Sequence, residues 1–250
     1  MIENIAWSGL ADEDYYNYIA QFCLPSWNKL PGDKFIVHDS NVISQDGIQI
    51  VNWNDVVNLN AVFPKMCKKT KSHNFWRKMQ SQVWAVKNLK KYKWLVLLDT
   101  DIEIINFNEE KFLEILSIMK TENFMWATGE SHKKNLDAGH IIFNMEHPLI
   151  DQWIIDYENI WESGNIFKLH RSYDGDAVES MFSEYPSYKI KNFDYGTGFH
   201  VYDIGTVHYG SKLPKAIRAA WRGENISELI EQMKVNKFKF IDEYKLIGKF

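Results

Sequence analysis

The sequence predicts an α/β fold in which helices flank a single mixed β-sheet, and three observations carry the prediction. Trp94-Leu95-Val96-Leu97-Leu98 is a run of five apolar residues bounded by charge, as in a strand buried on both faces of a parallel sheet. Before it, from Ser72 to Lys91, Phe75, Met79, Val83, Val86 and Lys90 recur at helical steps, with Trp76 and Trp84 flanking the stripe. The chain opens strand, helix, strand, which is how an α/β unit begins.

Taken in order, Ile2 to Ala6 reads as the first strand and runs into Ser8-Gly9. Asp12 is placed to start a helix through Tyr15, Tyr16, Ile19 and Phe22. Phe35-Ile36-Val37 is a second strand ending at His38-Asp39. Residues 40–70 are irregular and hold one short strand candidate, Ile48 to Val51. After the buried strand, Glu109 to Met119 is an amphipathic helix, and Phe124 to Ala127 and Gly139 to Asn144 are strands. His147 to Glu162 reads as a helix, with Pro148 near its first turn and Gly164 just past its end. Gly175 to Phe182 is a further helix, and Ile190 to Phe193 and Thr206 to Tyr209 are short strands. The predicted division is a main domain over 1–223 and a helical appendage over 224–250, whose end interleaves lysines with aromatics.

The length of 250 residues suits this plan, and a 45% hydrophobic content excludes a disordered chain. A net charge of −4 argues against a broadly basic surface for nucleic acid. Cys23 and Cys67 form no CxxC and no disulfide framework, which fits a reduced, cytoplasmic setting. The first residues lack the pattern of a signal peptide, and no stretch approaches the roughly 18 apolar residues of a membrane span. A membrane would be met from its surface, as a peripheral contact.

Asp99-Thr100-Asp101 carries the chemistry. In an open α/β sheet, ligands sit beyond the carboxyl ends of the strands. Two carboxylates placed there repel each other unless a cation lies between them. A hard divalent cation takes oxygen ligands and keeps positions open for phosphate, so the pair suits Mg²⁺ or Mn²⁺ bridging a nucleoside diphosphate. The bland alternative is a solvated turn with two helix-capping acids. His208 ends a short apolar strand before Gly210-Ser211-Lys212. Its imidazole suits Mn²⁺, Gly210 would let backbone approach a phosphate, and Lys212 would supply a point charge. The alternative for His208 is a buried histidine bonded to backbone. Asp174 and Asp176 flank a glycine at a predicted helix start, where an acid is an N-cap or is set toward a ligand.

The segment from Trp94 to Asp101 resembles the D-x-D strand of GT-A fold glycosyltransferases. Three later segments occur in the order seen in the glycogenin-like and lipopolysaccharide galactosyltransferase-like retaining families. Asp137-Ala138-Gly139 with His140 to Asn144 is similar to their N-A-G strand, Tyr173 to Ala177 to their D-Q-D segment, and Val207 to Lys212 to their terminal H-[FY]-x-G segment. Asp137 stands where those families have Asn and Gly175 where they have Gln, and Lys212 comes early with no K-P-W after it. The resemblance implies a GT-A fold, with a Rossmann-like mixed sheet, and a metal-dependent enzyme moving a hexose or pentose from a UDP-sugar to an acceptor hydroxyl with retention. It also implies Asp99 and Asp101 on metal and ribose, His208 as third metal ligand, and Lys212 near the diphosphate. One of Asp174 and Asp176 would face the donor sugar, Asp137 would bind sugar hydroxyls, and Arg77 or Lys78 would reach the donor; the alternative for that basic pair is a solvated helix face. By strand-end logic, Ser8 and Asp39 would contact the nucleoside, with a plain loop turn as the alternative for Asp39.

Lys65, Lys68, Lys69 and Lys71, with Lys87, Lys90, Lys91 and Lys93, are either a solvated face or a surface for a polyanionic acceptor beside the site. The expected acceptor is a glycan or polysaccharide, with modified DNA as an outside alternative. A sugar-phosphate nucleotidyltransferase is the rival enzyme class. It would need a glycine-rich phosphate loop after the first strand, and Ser8-Gly9 is thin for that.

Overall fold

A computed structural model of the chain describes residues 2–16, 20–39, 45–66, 70–104, 106–132, 135–169, 173–184, 190–193 and 206–208. The chain divides into two compact units, 1–207 and 208–250. Of the second unit only His208 is described, so the predicted 223/224 boundary and the tail fall outside the described residues.

In the first unit, β1 (Ile5–Leu10), β2 (Asp33–His38), β3 (Gln49–Asn52) and β4 (Trp94–Leu98) form the parallel part of a seven-stranded sheet. β5 (Ile102–Ile104) lies apart. β6 (Trp126–His132), β7 (Asn135–Asn144) and β8 (Ile190–Phe193) complete the sheet in the order β3-β2-β1-β4-β7-β6-β8. β7 runs antiparallel to both β4 and β6. β5 and β9 (Thr206–His208) make a separate two-stranded ribbon.

Helices cover both faces of the sheet, which is why β4 is apolar without alternation. Leu95 and Leu97 enter one core with residues of α4 (Thr70–Asn88), α6 (Ile150–Glu162) and α7 (Asp174–Glu184). Trp94, Val96 and Leu98 enter the other, with residues of α5 (Glu109–Thr121) and the turn at Leu24–Lys29. α1 (Glu13–Tyr15), α2 (Gln21–Cys23) and α3 (Phe63–Met66) are single turns. Asp12 caps the start of the helix expected after it by accepting from the Tyr15 N–H at 2.8 Å; Tyr16 and Ala20 are helical as well, and residues 17–19 lie outside the described residues.

β1 begins later than the sequence suggests and contains Ser8 and Gly9 instead of ending before them. Asn4 has a left-handed φ of 59°, and its carbonyl accepts from Lys93 and Trp94, so regular pairing starts at Ile5. Gly9 belongs inside the strand because a Cβ there would lie 2.6 Å from the Leu98 carbonyl oxygen. β5 was not foreseen. It is held by Trp27 and Lys29, whose side chains donate to the Ile102 and Ile104 carbonyls.

One expectation is corrected here. The Lys87–Lys93 stretch precedes β4 and so lies at its amino end, while Asp99 follows its carboxyl end. A five-residue strand separates them by roughly 17 Å. These lysines also have acidic partners: Lys87 with Glu158 at 2.7 Å, Lys93 with Glu146 at 2.9 Å, and Lys90 with Asp151. They form a paired, solvated face remote from the site. Lys68 and Lys69 lie outside the described residues.

Candidate functional site

β1 and β4 are parallel neighbours, with Ser8 opposite Leu97, so both end at one edge of the sheet. β7 approaches from the other side. Its Gly139 carbonyl accepts from the Asp99 N–H at 2.8 Å, which sets the Asp137-Ala138-Gly139 segment beside the strand end. Asp99 then enters a tight turn in which Ile102 N–H donates to its carbonyl at 3.0 Å. Thr100 Oγ1 donates to the Leu10 carbonyl at 2.8 Å and ties this turn to the end of β1.

A cavity of about 310 Å³ opens at this edge, lined by Ser8, Gly9, Tyr15, Lys78, Asp99 and Ala138 among others. Its polar centre is one ammonium group. Lys78 Nζ lies 2.6 Å from Asp99 Oδ1 and 2.5 Å from Asp174 Oδ2. Burial by itself would lower the Lys78 pKa, but the Asp174 and Asp99 carboxylates outweigh it and raise the value above 10.5. Asp174 and Asp176 both sit in the first turn of α7 and are both buried. There the helix dipole favours negative charge. Behind them Tyr157 donates to Gln82 at 2.9 Å, and its pKa is pushed up by burial first and by Asp174 second.

Asp101 is only 2% exposed. The Tyr15 hydroxyl donates to it, and the phenol pKa is raised well above 10.0, by burial first and then by the Asp101 and Asp99 charges. Burying a carboxylate this deeply is costly without compensating charge or hydrogen bonds.

Arg77, the neighbour of Lys78 on α4, turns the other way. It pairs with Asp12 at 3.3 Å and Asp39 at 3.0 Å and stacks over Trp53 at 4.8 Å. Asp39 also accepts from the Glu13 N–H at 2.9 Å. Asp39, Arg77, Trp53 and Trp76 line a second hollow of about 520 Å³.

The structure thus joins Asp99, Lys78 and Asp174 directly and puts Ser8 in the same cavity. Asp101 and Asp176 lie next to that group in the chain, and Arg77 and Asp39 sit together beside the second hollow. The side chains of Asp137 and His208, and the whole of Lys212, lie outside the described residues, although the backbones of Asp137 and His208 are placed in β7 and β9. Among the described residues no group of three His, Cys, Asp or Glu side chains forms a metal cluster.

No protein-family model matches the chain, and no curated protein matches it. Solved structures do. A glycosyltransferase involved in the glycosylation of the major capsid of PBCV-1 superposes with a TM-score of 0.53, at 12% identity, over 92% of this chain and 98% of that one. The bifunctional glycosyltransferase WbbM superposes with a TM-score of 0.54, at 9% identity, over 92% of this chain; the chain spans about half of WbbM, 52%. The chain has the GT-A fold. Within this GT-A frame, Tyr15, Asn74, Ser81 and Gln82 line the cavity without having been singled out from the sequence. Asn74, Lys78, Ser81 and Gln82 follow the three-to-four step of a helix face, so a polar stripe beside the apolar one is their signal in the sequence. Tyr15 had only its place in the first turn after the Asp12 cap.

Proposed function

We propose that this chain is a glycosyltransferase that moves a hexose or pentose from a UDP-sugar to an acceptor hydroxyl with the help of Mn²⁺ or Mg²⁺. The carrying observation is the Asp99–Lys78–Asp174 bridge, of which Asp99 and Lys78 line a cavity at the carboxyl edge of a GT-A sheet. The bridge links the end of the D-x-D strand to the segment that would hold the donor sugar.

Asp99 and Asp101 fit a divalent ion. Both offer hard carboxylate oxygens, Asp101 is buried at a cost that a cation would offset, and Asp99 already binds one cation in the form of Lys78. When bound, the ion supplies positive charge to the departing diphosphate. His208 is proposed as its third ligand, with Lys212 near the diphosphate. Ser8 and the β1 end would receive the nucleoside, with Asp39 and Arg77 bracing this region through Asp12.

Lys78 lines the cavity and binds the Asp174 carboxylate, which is assigned to accept hydrogen bonds from donor sugar hydroxyls. Asp176 and Asp137 are assigned to the same sugar. As the bond from the anomeric carbon to the diphosphate oxygen breaks, its electron pair leaves with UDP and positive charge develops on the sugar ring. The carboxylates of α7 face that charge. The acceptor oxygen forms the new bond to the anomeric carbon and gives up its proton to the departing diphosphate. Retention rests on the resemblance of the D-x-D, N-A-G and D-Q-D segments.

The acceptor is assigned as a glycan or polysaccharide and the setting as cytoplasmic. No helix among the described residues is long and apolar enough to cross a membrane. Nucleotidyl transfer has no comparable support, because Gly9 lies within β1 against Leu98 and Thr100 instead of in a phosphate loop. The test is titration of UDP with Mn²⁺ and with EDTA, for wild type and Asp101→Ala. Metal-dependent binding, with turnover lost in a folded variant, is expected. Equal UDP affinity in EDTA and Mn²⁺ would overturn the reading.

A further inference from the structure

We propose that the apolar rim formed by residues 59–66 together with Phe167 docks on an anionic membrane surface. Among the described residues six large apolar side chains are exposed, and four of them lie here: Leu59 at 87%, Val62 at 49%, Met66 at 38% and Phe167 at 40%. They belong to one surface. Met66 Sδ and Phe167 Cδ2 lie 3.6 and 3.7 Å from where a Gly164 Cβ would stand, and Phe167 stacks on Phe63 at 5.3 Å.

The rim is held outward by its own backbone. Glu162 accepts from the Val62 N–H at 2.5 Å, the Phe63 N–H at 3.1 Å and Trp76 Nε1 at 2.9 Å. That carboxylate is engaged inward, so it does little to cancel positive charge on the rim. Lys65 and Lys168 are both exposed beside the apolar side chains, and the sequence continues with Lys68, Lys69 and Lys71. Apolar side chains interleaved with lysines match a lipid surface, where apolar groups enter the acyl boundary and lysines meet anionic headgroups.

Its place in the fold is also suited to the task. Leu59 and Lys65 share the second hollow with Asp39, which directly follows β2, so the rim borders the carboxyl edge of the sheet. Docking there would bring that edge to the headgroup layer. The surface itself does not depend on the transferase reading, and it is tested without nucleotide-sugar so that the two can fail separately.

The experiment is co-sedimentation of the full chain with vesicles of phosphatidylcholine alone or mixed equally with phosphatidylserine. Wild type is expected to sediment with the mixed vesicles, less so as salt rises, and weakly with phosphatidylcholine. Leu59→Ser/Val62→Ser should lower partitioning roughly tenfold or more, the loss expected from removing apolar side chains that bury on docking. Lys65→Glu/Lys168→Glu should remove the phosphatidylserine dependence. These side chains are exposed, so thermal midpoints should hold and confirm folded variants. Failure of wild type to sediment with the mixed vesicles, or equal sedimentation of the serine variant, would overturn the proposal. A dimer in light scattering that the serine variant dissociates would also overturn it, by assigning the rim to a second copy of the chain.

Discussion

Replacing Lys78 with Met tests the centre of the site through folding stability alone. The substitution keeps an unbranched side chain of similar length and removes the charge that two carboxylates share. Lys78 is 18% exposed, Asp99 24% and Asp174 9%. Removing one partner from a buried ion pair costs about 3–5 kcal/mol, because the other charge is left uncompensated. Asp99 keeps contact with water, so the loss arises mainly at Asp174 and falls toward the lower figure, about 3 kcal/mol. In wild type the Lys78 pKa is raised above 10.5, so its contribution is complete below that value and is lost only as pH rises through the higher folded value. Urea unfolding followed by circular dichroism measures the deficit, and Lys78→Met/Asp174→Asn should recover most of the loss. A small deficit, with no recovery in the double variant, would reduce the bridge to a solvated surface pair.

Gly9→Ala places a Cβ 2.6 Å from the Leu98 carbonyl oxygen and 2.9 Å from Thr100 Cγ2, so β1 and β4 must separate at the cavity floor. Urea unfolding should show a loss of about 1–3 kcal/mol. Tyr15→Phe removes a hydrogen bond to a buried carboxylate, and calorimetry should find metal-dependent UDP binding weakened about tenfold. Unchanged affinity would separate Tyr15 from the role of Asp101. Asp174→Asn and Asp176→Asn should lower kcat far more than UDP affinity, since their assigned contacts are to the sugar. Turnover left intact in both would remove α7 from the chemistry. Lys90→Glu should leave acceptor KM unchanged, because it lies at the amino end of β4; a raised KM would contradict that placement.

The central strand was legible because its environment is uniform. Trp94 to Leu98 alternate between two cores that are both apolar, so the pattern shows no period and marks a strand covered on each side. The edges of the sheet were less legible for specific reasons. The delayed start of β1 depends on a left-handed Asn4 whose carbonyl serves Lys93 and Trp94, a contact about ninety residues away in the chain. β5 has only three residues, is anchored by side chains from 24–29 and pairs with a strand about a hundred residues on. No local window contains those partners. Paired acids after a buried strand were visible from sequence alone, and so was an acidic segment at the start of α7, but the lysine that connects them was not distinguishable from its neighbour.

Arg77 and Lys78 show how that ambiguity is resolved physically. Adjacent residues on a helix point about 100° apart, so a basic pair at i and i+1 can be divided between two settings, as Arg77 and Lys78 are here. Which of the two enters the site depends on the company each keeps at three and four residues' distance. Lys78 shares its side of α4 with Asn74, Ser81 and Gln82, and the last two are buried although polar. Buried polar groups require partners, and a helix that carries them beside a lysine is arranged around a polar interior or a ligand. Arg77 shares its side with His73, one turn before it, and is fixed by Asp12, Asp39 and the Trp53 ring. Its guanidinium suits that forked, stacked setting, whereas the compact ammonium of Lys78 suits a point between two carboxylates. Exchanging the two residues would therefore disrupt both settings while leaving the charge of the helix unchanged.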